Sequence, residues 1–519
     1  MSENKARVCV PVRVRRAAEL PGAVARAAEV ADVVELRLDY LEENQLAPAL
    51  QQLGELRRAH TRPFIYTLRP SEQGGARQLT HEERVAFWMN LFQNTRAALV
   101  EETDFADLEL DLLESPSGPS LLDAAGRLKI ICSFHDFAGL TADPEQLAER
   151  MTKTRAAVLK IALRVREVTG SLKLFRLLER ARRDGRELIA VAMDEAGIVT
   201  RVLGPSRGGF LTYASLDAAS ATAPGQLDAR ELLELYRVRS LSMETHIHGL
   251  AGRPVAHSLS PRIHNAAFKA LGLDAVYLPF DVGEVGEFVR RMIHPRTREL
   301  SWNLRGLSVT APHKRAVIEH LDRVAPSARE IGAVNTVVVE GEELHGYNTD
   351  ADAALAPLSG VVELEGARVA LIGAGGAARA LLWSLRARGA HTTLFARDAA
   401  RASETAEEFG ARASQLRDAS FDNYELVINA TPLGTRGRQE GETPADAAQL
   451  RGARLVYDLV YNPAETRLLR EARAAGCETV GGLSMLVAQA AAQFRLWTGR
   501  EAPLEVMRAA AEKQMSVKN

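Results

Sequence analysis

Cysteine is scarce in this chain: Cys9, Cys132 and Cys477 are the only three in 519 residues. Their odd number and wide spacing exclude a disulfide framework and a thiolate metal cluster, and suit reduced thiols. Charge of one sign is also missing, since 65 Lys and Arg against 67 Asp and Glu leave a formal charge of −2. So even a balance gives no electrostatic footprint for nucleic acid or an anionic membrane and points to small-molecule chemistry. No apolar stretch reaches spanning length, and the opening Met1-Ser2-Glu3-Asn4-Lys5-Ala6-Arg7-Val8 has no leader-like apolar segment. The expectation is a soluble cytoplasmic protein with small-molecule substrates, no metal, no nucleic acid and no membrane contact; nothing in the sequence sets an oligomeric state. Low-complexity tracts and internal repeats are absent too. At this length one core is excluded, and about three domains are expected.

What is present is alternation. Short β-branched runs at 8–12, 33–39, 64–69, 106–111, 128–135, 158–163, 188–193 and 210–214 are separated by amphipathic stretches such as 82–94, 144–154 and 171–184. That pattern predicts an α/β fold with a parallel sheet and crossover helices. Eight units within about 240 residues match an N-terminal (β/α)8 TIM barrel, with an open doubly wound sheet as the alternative. After a helix predicted over 229–236, the stretch 239–245 reads as a short linker without a Pro/Ser-rich spacer. The predicted barrel domain is 1–238.

Lys160 lies inside Ala156-Ala157-Val158-Leu159-Lys160-Ile161-Ala162-Leu163, an apolar run that reads as a buried strand. Taken alone it is either a strand-end cation reaching water or a desolvated amine able to form a Schiff base. In barrel enzymes reactive groups come from the C-terminal ends of strands, and polar residues collect there: Glu35 and Arg37, Arg69, Asp107 and Glu109, His135 and Asp136, then Lys160, Arg201 and Gln226. An ordinary imidazole titrates near neutral pH, so His135 suits a proton shuttle beside an amine. Arg37, Arg69 and Arg201 suit carboxylate binding or ordinary ion pairs.

Across roughly residues 6–236 these motifs resemble type I 3-dehydroquinate dehydratase: Glu35-Leu36-Arg37, Thr67-Leu68-Arg69, Ser133-Phe134-His135-Asp136-Phe137, Lys160-Ile161-Ala162 and Thr222-Ala223-Pro224-Gly225-Gln226. The resemblance implies an imine between Lys160 and the C3 ketone of 3-dehydroquinate, with His135 removing the C2 proton and then protonating the departing C1 hydroxyl. It further implies that Glu35 orients His135 or bonds the substrate, that Arg37 and Arg69 hold substrate oxygens, that Arg201 binds the carboxylate, that Gln226 closes a loop, and that Met193 packs beside the lysine. Gln73 and Thr222 stand where Glu and Ser are common; both retain hydrogen-bonding ability.

In the second half, Arg368-Val369-Ala370-Leu371-Ile372-Gly373-Ala374-Gly375-Gly376-Ala377-Ala378-Arg379 reads as a strand, a glycine turn and a helix, the context of a dinucleotide pyrophosphate site in a Rossmann domain. Ala378 takes the third glycine position. About twenty residues on, Arg397 and Arg401 replace the acidic residue that would bind a ribose 2′-hydroxyl, favouring NADP. Ser258 and Ser260 precede a helix predicted from Pro261, where N-capping is the alternative. Lys314 and Asp350, read singly, are surface charges.

Together the motifs Ser258-Leu259-Ser260-Pro261, Val309-Thr310-Ala311-Pro312-His313-Lys314, Gly332-Ala333-Val334-Asn335-Thr336, Asn348-Thr349-Asp350, Asn429-Ala430-Thr431-Pro432-Leu433-Gly434 and Gly481-Gly482-Leu483-Ser484-Met485-Leu486 resemble shikimate dehydrogenase over about 246–500. The resemblance implies Lys314 and Asp350 as the proton-handling pair, and Ser258, Ser260, Thr310, Asn335 and Gln489 on substrate. Gly373, Ala374, Gly375, Gly376, Ala377, Arg397, Arg401, Asn429, Thr431 and Gly482 would hold NADPH, the donor for reduction of 3-dehydroshikimate. Ser308 replaces the usual Asn. A substrate domain at 246–350, completed by about 484–519, and a cofactor domain at 351–483 follow by the same analogy. The expected protein fuses both activities; the alternatives are a non-enzymatic ligand sensor and a dehydratase joined to a quinate dehydrogenase.

Overall fold

A computed structural model describes residues 6–97, 103–139, 143–217, 220, 222–223, 225–417, 419–437 and 439–517. The chain divides into two compact units, Met1–Thr245 with Leu278–Gly283 and Glu299–Asn303, and His246–Tyr277 with Glu284–Arg298 and Leu304–Asn519.

In the first unit β1 (Val8–Val12), β2 (Val33–Arg37), β3 (Phe64–Thr67), β4 (Phe105–Glu109), β5 (Lys129–Asp136), β6 (Val158–Arg164), β7 (Glu187–Met193) and β8 (Thr212–Tyr213) lie in the order β7-β6-β5-β4-β3-β2-β1-β8. Every paired neighbour is parallel. A bridge from Leu188 of β7 to Gly209 closes the ring, with Phe210 N donating to Leu188 O at 2.8 Å. This TIM barrel replaces the open-sheet alternative.

Side chains alternate along a strand, and that period explains the barrel interior. One apolar layer joins Cys9, Val33, Ile65, Phe105, Ile131, Val158, Ile189 and Phe210. Two residues further along their strands stand Glu35, Thr67, Asp107, Ser133 and Lys160, all buried. Two more bring Arg37, Arg69, Glu109 and His135. The polar layers are thus in-phase continuations of the core. Strands 2, 3 and 4 end earlier than predicted because the chain bends at these residues into the short helical turns Leu38–Tyr40, Ser71–Gln73 and Leu110–Glu114. The predicted helix at 229–236 is a π-helix, Glu231–Leu235, a widened turn that hydrophobic periodicity does not separate from an α-helix.

Beyond residue 245 the chain forms two further sheets. β9 (His246–Gly252), β10 (Ala275–Asp281), β11 (Leu304–Val309), β12 (Arg323–Val324), β13 (Thr336–Glu340) and β14 (Glu343–Tyr347) form a mixed sheet in the order β10-β9-β11-β13-β14-β12. β15 (Arg368–Ile372), β16 (His391–Ala396), β17 (Arg412–Gln415), β18 (Leu426–Asn429), β19 (Leu455–Asp458) and β20 (Glu478–Gly481) form a parallel sheet in the order β17-β16-β15-β18-β19-β20. This doubly wound order binds ligands where strand order reverses, here at β15 and β18. Alternate residues fill opposite faces: Val369, Leu371, Ile428 and Tyr457 enter one core, and Ala370, Ile372, Val427 and Val456 the other. Leu486, Val487, Ala490 and Phe494, on the helix Leu483–Thr498, pack with Leu250, Ile263 and Phe268 beside the mixed sheet. Among the described residues no helix is long and apolar enough to cross a membrane.

Candidate active sites

In the barrel, Lys160 Nζ donates to Asp107 Oδ2 at 2.8 Å and to Tyr213 Oη at 2.9 Å, with Glu35 Oε1 at 3.6 Å. The amine is buried but carboxylates surround it, so its charge is paired instead of stranded in an apolar slot. Glu35 also accepts from Thr67 Oγ1 at 2.9 Å. Arg69 reaches Asp107 at 2.7 Å, Glu109 at 3.0 Å and Ser133 Oγ at 2.6 Å. Burial opposes ionisation of Asp107, yet Arg69 and Lys160 hold its pKa well below the ordinary range. Glu109 goes the other way: burial pushes it up to about 7, against the pull of Arg69 and Arg84. Burial, then the Arg69 and Lys160 cations, keep the His135 pKa well below that of ordinary imidazole, against Asp107. A neutral imidazole beside an amine can accept a proton.

The other barrel candidates come from strand ends, a helix and the loops that follow the strands. Arg37 is clamped bidentately to Asp39 at 2.9 and 2.8 Å. Arg201 is buried on the helix Ile198–Leu203 after β7, and burial lowers its pKa to about 10. Met193 ends β7, also buried. Gln73 closes its short turn before Gly74, whose φ of +81° suits glycine and whose Cα faces the Phe137 ring. Thr222 and Gln226 bond each other, Oγ1 and N to Oε1 at 3.0 and 2.6 Å, so the structure does not tie this pair to Lys160. Pro224 lies outside the described residues.

In the second unit Lys314 Nζ lies 2.6 Å from Asp350 Oδ2, and Asn335 Nδ2 donates to Asp350 Oδ1 at 2.8 Å. Asn348 Oδ1 caps the helix Asp350–Leu355 by accepting from the backbone N of Asp350 and Ala351 at 3.0 and 3.2 Å, which fixes the aspartate. Asn335 Oδ1 accepts from Thr349 N at 2.8 Å. Ser260 opens the helix Ser260–Ala270, whose N-cap residue is Leu259 with no side-chain cap, and the Ser260 N–H donates to Ser258 Oγ at 3.2 Å. Thr310 follows β11, its N–H bonded to Ala251 O at 2.9 Å. Gln489 Nε2 bonds within its own helix, to Leu486 O at 3.0 Å.

The dinucleotide motif begins where β15 ends. Gly373 has φ +113°, and a Cβ there would come within 2.9 Å of Thr431 Cγ2; Gly375 has open space around it. The helix Gly376–Ala387 then presents its N-terminus, a suitable seat for a pyrophosphate. Ala374 and Ala377 are half-buried in the same turn, and Ala378 is fully buried. A Cβ on Gly376 would lie 3.1 Å from Lys314 Cδ, so Lys314 borders the glycine loop. Asn429 and Thr431 shape the facing loop: Asn429 Oδ1 accepts from Thr431 N and Oγ1 at 3.0 and 2.7 Å, and its Nδ2 donates to Asp458 at 2.9 Å. Gly482 lacks a side chain where a Cβ would meet Leu459 O at 2.2 Å. Arg397 is exposed just past β16; the side chain of Arg401 lies outside the described ones.

Residues 8–243 match type I 3-dehydroquinase, residues 250–337 the shikimate dehydrogenase substrate binding domain, and residues 482–512 the shikimate 5′-dehydrogenase C-terminal domain. The chloroplastic bifunctional 3-dehydroquinate dehydratase/shikimate dehydrogenase of Arabidopsis thaliana is 32% identical, over 97% of this chain and 84% of that protein. The chain belongs to this bifunctional family. It is a dehydroquinate dehydratase and a shikimate dehydrogenase in one polypeptide. Shikimate dehydrogenases (NADP(+)) of Oleidesulfovibrio alaskensis and Moorella thermoacetica are 43% and 44% identical to its second half, each over 51% of this chain and 93% and 91% of their own.

Sequence reasoning left several groups of this bifunctional enzyme unassigned. Asp107 and Glu109 sit two apart on β4, a spacing that puts both on one face, and that signal was readable. Tyr213 lies within the run 210–214 that reads as a strand, but a lone tyrosine in a strand carries no sign that it faces an amine on β6. In the dehydrogenase half, Tyr277 Oη donates to Ser308 Oγ at 2.7 Å, Ser308 donates to Gln493 Oε1 at 2.8 Å, and Gln493 Nε2 donates to Asn335 O at 3.2 Å. The serine that departs from the usual Asn thus belongs to a buried chain ending at Asn335.

Proposed function

We propose that Lys160 dehydrates 3-dehydroquinate through an imine and that Lys314 and Asp350 handle the proton in the NADPH-dependent reduction of 3-dehydroshikimate to shikimate. The observation that carries the first part is the Lys160 amine held by Asp107 and Tyr213 within reach of Glu35. Nitrogen bonds to C3 and water leaves; the iminium draws electrons as the C2 proton passes to neutral His135. The C1–O bond then breaks as His135 returns that proton, and hydrolysis frees Lys160. Arg69, Arg37 and Arg201 supply positive charge for substrate oxygens and the carboxylate, while Gln73, Thr222 and Gln226 contribute hydrogen bonds from the loops. Met193 packs beside the amine.

The second part rests on the 2.6 Å contact between Lys314 and Asp350 and on Asn335 bridging to the same carboxylate. As the ketone is reduced, Lys314 donates a proton to its oxygen and Asp350 holds the ammonium in place. Ser258, Ser260, Thr310, Asn335 and Gln489 are the proposed substrate contacts. The glycine cradle at Gly373 to Gly376 fits a pyrophosphate, since a Cβ at Gly373 would fill it; Ala374, Ala377, Asn429, Thr431 and Gly482 complete its walls. Arg397 and Arg401 are the proposed 2′-phosphate ligands. NADPH, when bound there, supplies the hydride. The proposed domains are a barrel at 1–238, a linker at 239–245, a substrate domain at 246–350 with 484–519, and a cofactor domain at 351–483. The proposed compartment is the cytoplasm, in keeping with three free, buried cysteines.

Borohydride added during turnover of 3-dehydroquinate should leave a stable adduct on the intact protein and none on Lys160→Ala. Equal labelling of the two would reject the imine. 3-Dehydroquinate plus NADPH should yield shikimate in one vessel, and substrate-dependent NADP reduction with quinate instead of shikimate would redirect the second assignment.

A further inference from the structure

When an amine adds to a ketone, nitrogen gains positive charge and oxygen negative charge, and a proton must cross from one to the other before water can leave. The groups touching Lys160 Nζ differ in their ability to carry it. Asp107, at 2.8 Å, is an ionised acceptor held by Arg69 and Lys160 and has no proton to give. Tyr213, at 2.9 Å on β8, is a phenol that both accepts and donates. It is buried, and burial with the nearby Glu35, Cys9 and Asp107 raises its pKa well above the ordinary value, so it begins and ends the step protonated. Among the described residues hydrogen-bonded to Nζ, Tyr213 is the one with a proton to exchange.

We propose that Tyr213 is a catalytic residue of the dehydratase, relaying a proton from Lys160 nitrogen to the substrate C3 oxygen as the carbinolamine forms. This rests on the imine reading above. The N–C3 bond forms and the C3=O π pair moves to oxygen. Tyr213 Oη takes a proton from nitrogen while its own proton passes to the alkoxide. One N–H bond and one phenolic O–H bond break, and one phenolic O–H bond and one carbinol O–H bond form, so the phenol is regenerated with no net change of charge. His135 remains free for the C2 proton.

The test is the rate of imine formation in a single turnover of the full chain, followed by borohydride quench and intact mass, for wild type, Lys160→Ala and Tyr213→Phe. Tyr213→Phe should slow adduct formation by about 10²-fold or more. With C2-deuterated 3-dehydroquinate its isotope effect should fall toward unity as imine formation becomes the slow step, a change that loss of packing would not produce. Placing 3-fluorotyrosine at position 213 keeps the shape but makes the phenol more acidic, so the alkaline limb of imine formation should move to lower pH even if the Phe variant fails to fold. If wild type forms no adduct, the imine and the relay fall together. If wild type and Tyr213→Phe form it equally fast, or the alkaline limb of the fluorinated protein does not move, the relay alone is overturned.

Discussion

Each candidate site sets a lysine against an aspartate, at 2.8 Å for Lys160 and Asp107 and 2.6 Å for Lys314 and Asp350. Their surroundings differ. Asp107 shares its charge with Arg69, and Arg69 shares Glu109 with Arg84, so the dehydratase lysine is one member of a buried lattice of charges. Lys314 is 18% exposed, and its aspartate is steadied by neutral groups, Asn335 and the Asn348 cap. A nucleophilic amine has to be aimed, and fixed neighbours on several sides aim it. An amine that only passes a proton to an oxygen needs one anchor and an open approach. The proposed roles, a nucleophile in Lys160 and a proton donor in Lys314, fit similar contact distances because the remaining bonds of nitrogen are spent differently.

The largest test of this contrast is reciprocal removal. Lys160→Ala should cost the dehydratase about 10⁴-fold or more in kcat, and Lys314→Ala should cost the dehydrogenase about 10²- to 10⁴-fold, each leaving the other assay unchanged. Loss of both activities in either variant would end the idea of two independent sites. Asp107→Asn comes next. It leaves Arg69 and Lys160 short of a buried counter-charge, and should lower barrel stability by about 3–5 kcal/mol in urea unfolding. Asp350→Asn, beside a partly exposed lysine, should cost far less stability, and equal losses would erase the distinction.

A pH titration separates the units more gently. His264 lies buried in the second unit, and burial lowers its pKa from 6.5 to about 3. The unfolded chain takes up that proton first, so the contribution is fully present above about pH 6.5 and is lost as pH falls toward 3, at about 1.4 kcal/mol per unit. His264→Phe should flatten that acid limb in thermal unfolding of the dehydrogenase; an unchanged slope would assign the limb to other groups. The smallest expected effect is on cofactor choice. Arg397→Ala should reduce the NADPH-over-NADH ratio of kcat/KM by about tenfold, roughly 1.4 kcal/mol, and an unaltered ratio would remove that arginine from the 2′-phosphate site.

The fold was legible because its signals repeat. Eight strand-like runs with helical spacers announced the barrel, and a strand, glycine turn and helix at 368–379 announced the nucleotide sheet. Lys160, an ammonium in an apolar run, announced itself by incongruity. Asp107 stood out at its strand end, but not as the partner of Lys160, because whether an acidic residue pairs with a lysine 53 positions away is a matter of sheet order and stagger. Thr222 and Gln226 show the converse: members of one motif four positions apart, they bond each other, and motif membership says nothing of which way a loop side chain turns. The Ser308 chain was hidden for the first reason, since Tyr277, Ser308 and Gln493 come from three separate elements.

The ring of the barrel is sewn unevenly. β6 and β7 share seven registered residue pairs, whereas β8 is two residues long and, among the described residues, the chain just before it meets β7 through the Leu188–Gly209 bridge and the Phe210 amide. Local opening follows the fewest bonds. This seam is where the barrel should breathe, with amide protons at 209–213 exchanging with solvent before those of β6. Tyr213 follows that seam closely, so the same short strand that touches Lys160 Nζ is also the least firmly stitched stave of the wall.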